Sequence, residues 1–195
     1  MKIYLLERSE RKAQALREAF AKEDVEVVCD EFENFMRTHE VECVVSPANA
    51  FGLMEGGYDA AITAWFGEQL QKRVQRYILE NYYGEQPVGT SFLIDAGRDG
   101  QKLIHTPTMR VPSKILDPAV VYQSMRTTLM TALGAGVRSI VIPVFGGRTG
   151  GVPDGLAAKM MWLGYDQVMR PNRTIDWETV WGSDDRWIAL GVKNG

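Results

Sequence analysis

Cysteine, histidine, excess basic charge and long apolar runs are all scarce in this chain, and each shortage removes a class of protein. Only two cysteines occur, Cys29 and Cys43, both inside apolar, β-branched runs. They are expected as small buried hydrophobes, reduced, in a cytoplasmic setting. The two histidines, His39 and His105, come with no cluster of Cys or carboxylates at ligand spacing, so no metal site is expected. A formal net charge of -3 offers no concentrated basic face, which argues against non-specific nucleic-acid binding. No segment approaches the roughly 18 to 20 apolar residues of a membrane span, and the opening "MKIYLLERSERK" turns polar too soon for a signal peptide. No membrane partner is expected. The familiar phosphate loops are missing too: there is no Gly-x-x-x-x-Gly-Lys-Ser/Thr, and neither glycine-rich loop spells Gly-x-Gly-x-x-Gly.

What is present is an ordinary globular composition, with 195 residues, 45% hydrophobic and 24% charged. A single domain of this size buries about 70% of the surface its unfolded chain exposes. Strands are expected at 2–7, 25–32 and 41–49, with a short link between the last two that is either helical or irregular. Ser9 opens an amphipathic stretch carrying Ala13, Leu16 and Phe20. Ile62, Phe66, Leu70, Val74 and Ile78 recur every four residues and predict one long helix. "VGTSFLIDAG" and "KLIHTPTM" read as a hairpin around "GRDG". Asp117 and Pro118 start a helix with Val121, Met125, Leu129 and Leu133 inward, and "VRSIVIPVFGG" reads as a central parallel strand. A last helix begins at Pro153 and Asp154, with Ala158, Met161, Tyr165 and Met169 inward. The pattern predicts an α/β fold, a three-layer α/β/α sandwich on a mixed, largely parallel sheet. Residues 1–170 form the domain; 171–195, with Trp177, Trp181 and Trp187 and a final strand at 187–192, form an extension packed on it.

Ligands of open α/β sheets bind beyond the carboxyl ends of strands. Two loops of that kind are rich in glycine here: "NAFGLMEGGYD" (49–59) and "FGGRTGGVPD" (145–154). Glycine permits positive φ and close approach of backbone amides, so two such loops suit a diphosphate; alternatively they are only tight strand-to-helix turns.

The first loop resembles that of the macrodomain family, whose members recognise ADP-ribose and carry Asn-Ala-Ala-Asn, then a loop ending Gly-Gly-Val-Asp, then a helix. In "SPANAFGLMEGGYDAAI", Asn49 matches the second Asn, Gly56 and Gly57 the last glycines, and Asp59 the Asp. Ser46, Pro47 and Tyr58 depart from the pattern. "LIHTPTMRVP", "PVFGGRTGGVP" and "VVCDEF" fall in the expected order, and the combination is similar to a bacterial and phage branch.

The resemblance implies that ADP-ribose, as ligand or substrate, lies across the strand ends with no further cofactor. Amides of Gly56, Gly57, Gly147, Thr149 and Gly150 would hold the diphosphate, with Ala48, Tyr58 and Gly146 alongside. Asp30, or Glu31 in its place, would receive adenine, with Phe32 as apolar contact. Asn49 and Asp59 are the catalytic pair implied by MacroD-like members, which hydrolyse ADP-ribosyl esters on acidic side chains or O-acetyl-ADP-ribose. Each has a plainer role open to it: Asn49 as a turn residue bonding its own backbone, and Asp59 as a first-turn carboxylate favoured by the helix dipole. Arg148 is a phosphate clamp or an exposed cation; Met54 and Glu55 stand where the family has glycine, and Glu55 is expected to point to solvent. His105 is expected as a hydrogen-bonded strand-end residue. A non-catalytic reader, an ADP-ribose 1''-phosphate phosphatase, and a structural or phage-assembly component with an unused pocket are the other readings.

Overall fold

A computed structural model of the chain describes residues 1–172 and 174–189. Its element order is β1 (Lys2–Glu7), α1 (Glu10–Ala19), β2 (Glu26–Cys29), α2 (Phe32–Thr38), β3 (Cys43–Ser46), α3 (Gly57–Phe66), α4 (Gln69–Tyr82), β4 (Phe92–Asp95), β5 (Lys102–His105), α5 (Ala119–Gly134), β6 (Ser139–Pro143), α6 (Asp154–Met169) and α7 (Trp177–Ala189). The six-stranded sheet runs β2-β1-β6-β3-β5-β4. All neighbours are parallel except β4 and β5, which form the antiparallel hairpin expected from "GRDG".

Alternation along the strands sorts the core into two layers, because successive side chains point to opposite faces. Ile3, Leu5, Cys43, Val45, Ile140 and Ile142 pack with Leu16 of α1, Met125 and Leu129 of α5, and Met161 of α6. Tyr4, Leu6, Val44 and Val141 pack on the other face with Phe35 of α2, Ile62 of α3, and Leu70, Val74 and Ile78 of α4. Each such side chain contributes about 1.5 to 3 kcal/mol on full burial. β6 sits between β1 and β3, covered on both faces, as its unbroken apolar run requires. On the α1, α5 and α6 face, Gly164 lets α6 approach α5: a Cβ there would lie 2.6 Å from the Tyr122 carbonyl oxygen and 2.9 Å from Met125 Cβ.

Several expectations need correction. The single long helix is two, α3 and α4, because Gly67 takes φ +91° and its N–H closes α3 on the Thr63 carbonyl. The four-residue spacing survives the break since Ile62 and Leu70 both still point to the sheet. The second strand ends at Cys29, and Phe32 instead opens α2. Leu133 and Met169, near the ends of their helices, are 44% and 38% exposed rather than inward. Helix α7 occupies 177–189, where the first part of a strand at 187–192 was expected; residues 190–195 lie outside those described. Trp187 packs edge-on against Tyr122, with centroids 4.6 Å apart. Trp177 and Trp181 stack on each other instead and remain 74% and 61% exposed.

Candidate functional site

The carboxyl ends of β1, β2, β3 and β6 open into one cleft of about 290 Å³. Asp30, Phe32, Ala48, Asn49, Gly56, Gly57, Tyr58, Asp59, Gly146, Gly147, Arg148, Thr149 and Gly150 all line it. Residues separated by more than a hundred positions are thus brought to one wall by the strand order.

The loop after β3 is held by the segment after β5. Ser46, Ala48 and Ala50 exchange backbone bonds with Thr106, Thr108 and Met109, so the "TPTM" stretch zips onto the first loop at 2.9 to 3.2 Å. The loop then enters α3, whose N-cap is Gly56 with no side chain capping it. First-turn N–H groups have no intrahelical acceptor, and no protein atom lies within 4 Å of where a Cβ would sit on Gly56 or Gly57. Gly57 takes φ +59°, a conformation costly for any side-chain-bearing residue. The result is an open, positively polarised helix end facing the cleft.

The loop after β6 is tighter. A Cβ on Gly150 would meet Ile115 Cδ1 at 2.6 Å and the Gly146 carbonyl oxygen at 2.7 Å, and the Ile115 amide donates to the Gly150 carbonyl at 2.8 Å. Lys12 of α1 donates its ammonium to the Gly147 carbonyl. Arg148 lies over the cleft with Nη2 3.9 Å from Glu7 Oε1, and Glu7, 6% exposed, also accepts the Ser9 amide at 3.0 Å.

Asp59 stands in the first turn of α3. Ser46, fully buried at the end of β3, donates its hydroxyl to Asp59 Oδ1 at 2.6 Å. Burial pushes the Asp59 carboxyl up to about 7, against the opposing hydrogen bonds from Ser46 and its own amide. Beside it, the Tyr58 phenol is raised well above its ordinary value by burial and by the Asp59 charge. Its hydroxyl is buried without a partner, and its ring packs edge-on against Phe32 at 5.2 Å.

Asn49 lines the cleft, yet its amide is engaged by its own loop. Nδ2 donates to the Leu53 carbonyl at 2.8 Å, and Oδ1 accepts the Phe51 amide at 3.1 Å and the Leu53 amide at 3.4 Å. The turn-forming role is therefore the one its side chain performs. Asp30 Oδ1 likewise accepts locally, from the Glu31 amide at 2.7 Å and Asn34 Nδ2 at 3.1 Å. Met54 is not a loop residue facing ligand: it is fully buried in the core beneath α3 and α4, while Glu55 is exposed.

Glu7, Arg8, Leu53, Thr108, Met109 and Pro112 also line the cleft and were not singled out from the sequence. The usable signal for Glu7 was that it closes a parallel strand, whose carboxyl end must open on the same side as the glycine loops. His105 lies outside the cleft; its Nδ1 is 2.6 Å from Gln86 Oε1, and burial pushes it down to about 3. Among the described residues no cluster of His, Cys, Asp or Glu fits a metal ion, and no helix is long and apolar enough to cross a membrane. Both cysteines are free, Cys43 buried and Cys29 half-buried.

Fold and cleft together define an α/β/α domain whose cleft is walled by two glycine-rich loops and the open start of α3, with Arg8 and Arg148 also lining it. The chain belongs to the Macro domain family, whose description matches residues 45–161. A protein of Aquifex aeolicus (strain VF5) is 32% identical over 124 residues, 63% of this chain and 71% of that one. An Aeropyrum pernix protein is 28% identical over 112 residues, 57% of this chain and 56% of its own length. Among solved structures, the Oceanobacillus iheyensis macrodomain with ADP superposes with a TM-score of 0.59 at 20% identity, covering 77% of this chain and 84% of that one. The macrodomain of Mycobacterium tuberculosis DarG gives 0.57 at 17% identity, covering 66% and 84%.

Proposed function

We propose that this protein binds ADP-ribose in the cleft and hydrolyses ADP-ribosyl esters, removing ADP-ribose from acidic side chains or from an acetyl ester, in the cytoplasm. The diphosphate sits between the open N-terminus of α3 and the 146–150 loop, with Arg148 closing over it. The observation that carries the catalytic part is Asp59. It is a carboxyl held at the cleft wall at the start of a helix, with its proton affinity raised by burial into the range where a general base works near neutral pH.

In this reading a water gives its proton to Asp59 and its oxygen attacks the anomeric carbon. The bond from that carbon to the ester oxygen breaks, the leaving group departs as a carboxylate, and Asp59 returns the proton to solvent. No cofactor takes part. Asp59 must be ionised, so turnover rises with pH through about 7.

A reader that binds ADP-ribose without turnover is the second reading. It is favoured by Asn49, whose amide is engaged by the loop instead of reaching into the cleft. Calorimetric titration of ADP-ribose, with release of ADP-ribose from a glutamate-modified protein followed in parallel, separates the two. Micromolar binding, about -8 kcal/mol, with release lost in Asp59→Ala supports the hydrolase. Binding without release makes the protein a reader, and absence of binding overturns both and leaves a scaffold role.

A further inference from the structure

Ser46 ends β3, the strand at the middle of the sheet beside β6. Alternation puts Val44, and therefore Ser46, on the face covered by α2, α3 and α4, where the first turn of α3 begins. The backbone holds Ser46 rigidly, because its carbonyl accepts the Thr106 amide at 2.9 Å. Its side chain is fully buried and makes one hydrogen bond, to Asp59 Oδ1 at 2.6 Å. A hydroxyl so placed can only donate to that carboxylate, and a short bond to an ionised acceptor is among the stronger kinds.

We infer that Ser46 is a positioning residue for Asp59: its donated hydroxyl fixes the carboxylate's rotation, leaving the second oxygen to accept from a water in the cleft. This rests on the hydrolase reading for its functional meaning. With the Asn49 amide engaged in its own turn, Ser46 is the side chain that orients the base. It also moderates the base. Burial alone would keep Asp59 protonated well into neutral pH, and a donor to the charged form opposes that. The titratable and charged groups that share the cleft are Tyr58 on the same helix, Glu7 and Arg8 from the end of β1, Asp30 and Glu31 after β2, and Arg148 from the loop after β6. His105, beside Ser46 in the sheet register, is neutral at working pH, and among the described residues no cation pairs with Asp59.

The test is a carbon-13 NMR titration of the Asp59 carboxyl, identified by its loss in Asp59→Asn, in wild type, Ser46→Ala and Ser46→Thr. It is run beside pH profiles of kcat and KM on a glutamate-linked ADP-ribosyl substrate. In Ser46→Ala the Asp59 midpoint rises by about one pH unit. The rising limb of kcat moves with it, and kcat at pH 7 falls about fivefold from the lost ionisation, with KM little changed. Ser46→Thr, which keeps the hydroxyl, restores both. If the midpoint and the kcat profile of Ser46→Ala coincide with wild type, or if Ser46→Thr fails to restore them, the inference is overturned. Should Ser46→Ala not fold, Ser46→Cys, nearly the same size but a weak donor, decides on the same readouts. A wild type without turnover whose Asp59 midpoint still responds to Ser46 would refute the hydrolase reading while retaining Ser46 as the group that sets the Asp59 charge.

Discussion

Replacing Asp59 by Asn should make the protein more stable at alkaline pH and change little at acid pH. In the folded state burial raises the Asp59 carboxyl from 3.8 to about 7. Below 3.8 both folded and unfolded chains carry the protonated form, and the residue costs nothing. As pH rises from 3.8 the unfolded chain ionises first, so folding is progressively disfavoured until the folded carboxyl also ionises near 7; above that the penalty is constant. At about 1.4 kcal/mol per pH unit the interval from 3.8 to 7 sets a ceiling of about 4 kcal/mol. The residue keeps some surface at the cleft wall, and solvent there screens the penalty to about 1 to 3 kcal/mol. Asn preserves the acceptor for Ser46 at nearly the same shape. Urea unfolding of wild type and Asp59→Asn at pH 4, 6 and 8 should show curves that nearly coincide at pH 4 and separate at pH 8 with the variant more stable. Equal separations at every pH, or a variant less stable at pH 8, would refute the claim that the carboxyl is held ionised at a cost.

The two glycine loops answer differently to a methyl group. Gly150→Ala, whose Cβ would come within 2.7 Å of the Gly146 carbonyl oxygen, should reshape the second loop and weaken ADP-ribose binding about tenfold or more with some loss of stability. Gly56→Ala meets no protein atom within 4 Å at φ -131°, so its thermal midpoint should match wild type and any loss of affinity in calorimetry reports on the ligand itself. Gly164→Ala should cost about 1 to 3 kcal/mol in urea unfolding, because the added methyl overlaps the Tyr122 carbonyl and Met125 between α5 and α6. An unchanged midpoint would mean that the two helices separate freely.

The strands that build the sheet were legible because their apolar runs are short, β-branched and bounded by polar or glycine-rich segments. Both glycine loops were legible for the same reason, each following such a run. The split between α3 and α4 was signalled by Gly67, but a glycine inside a strong four-residue apolar spacing gives no warning that its φ will turn positive. Asp30 and Glu31 separate Phe32 from the apolar run of β2, but alternation of polar and apolar residues fits a strand there as well, so periodicity did not show that the chain turns into α2. The aromatic spacing of the last segment suits an edge strand as well as a helix, and α7 is set by context that local pattern does not carry. In the cleft, residue identities could be read but their partners could not. Whether Asn49 reaches outward or bonds its own loop depends on where the Phe51 and Leu53 backbone groups stand, which the order of residues does not specify. The presence of Glu7 depends on β1 lying between β2 and β6, an order that chain sequence does not reveal.

That strand order has a bearing on what can be cut away. The family match covers 45–161, yet β1 and β2 come before it, and β6, the strand ahead of the second loop, has β1 as one of its two hydrogen-bonded neighbours. A fragment beginning at residue 45 would carry both glycine loops and yet leave β6 without either partner, because β3 pairs with it through Cys43 and Val44 and β1 is gone altogether. The side chains that α1 and α2 cover would then be stripped of their shielding. An apolar strand with a bare edge is a template for other chains. Such a fragment should self-associate through β6 rather than fold to a smaller binding domain, so the first 44 residues act as the sheet's guard against aggregation as well as one wall of its cleft.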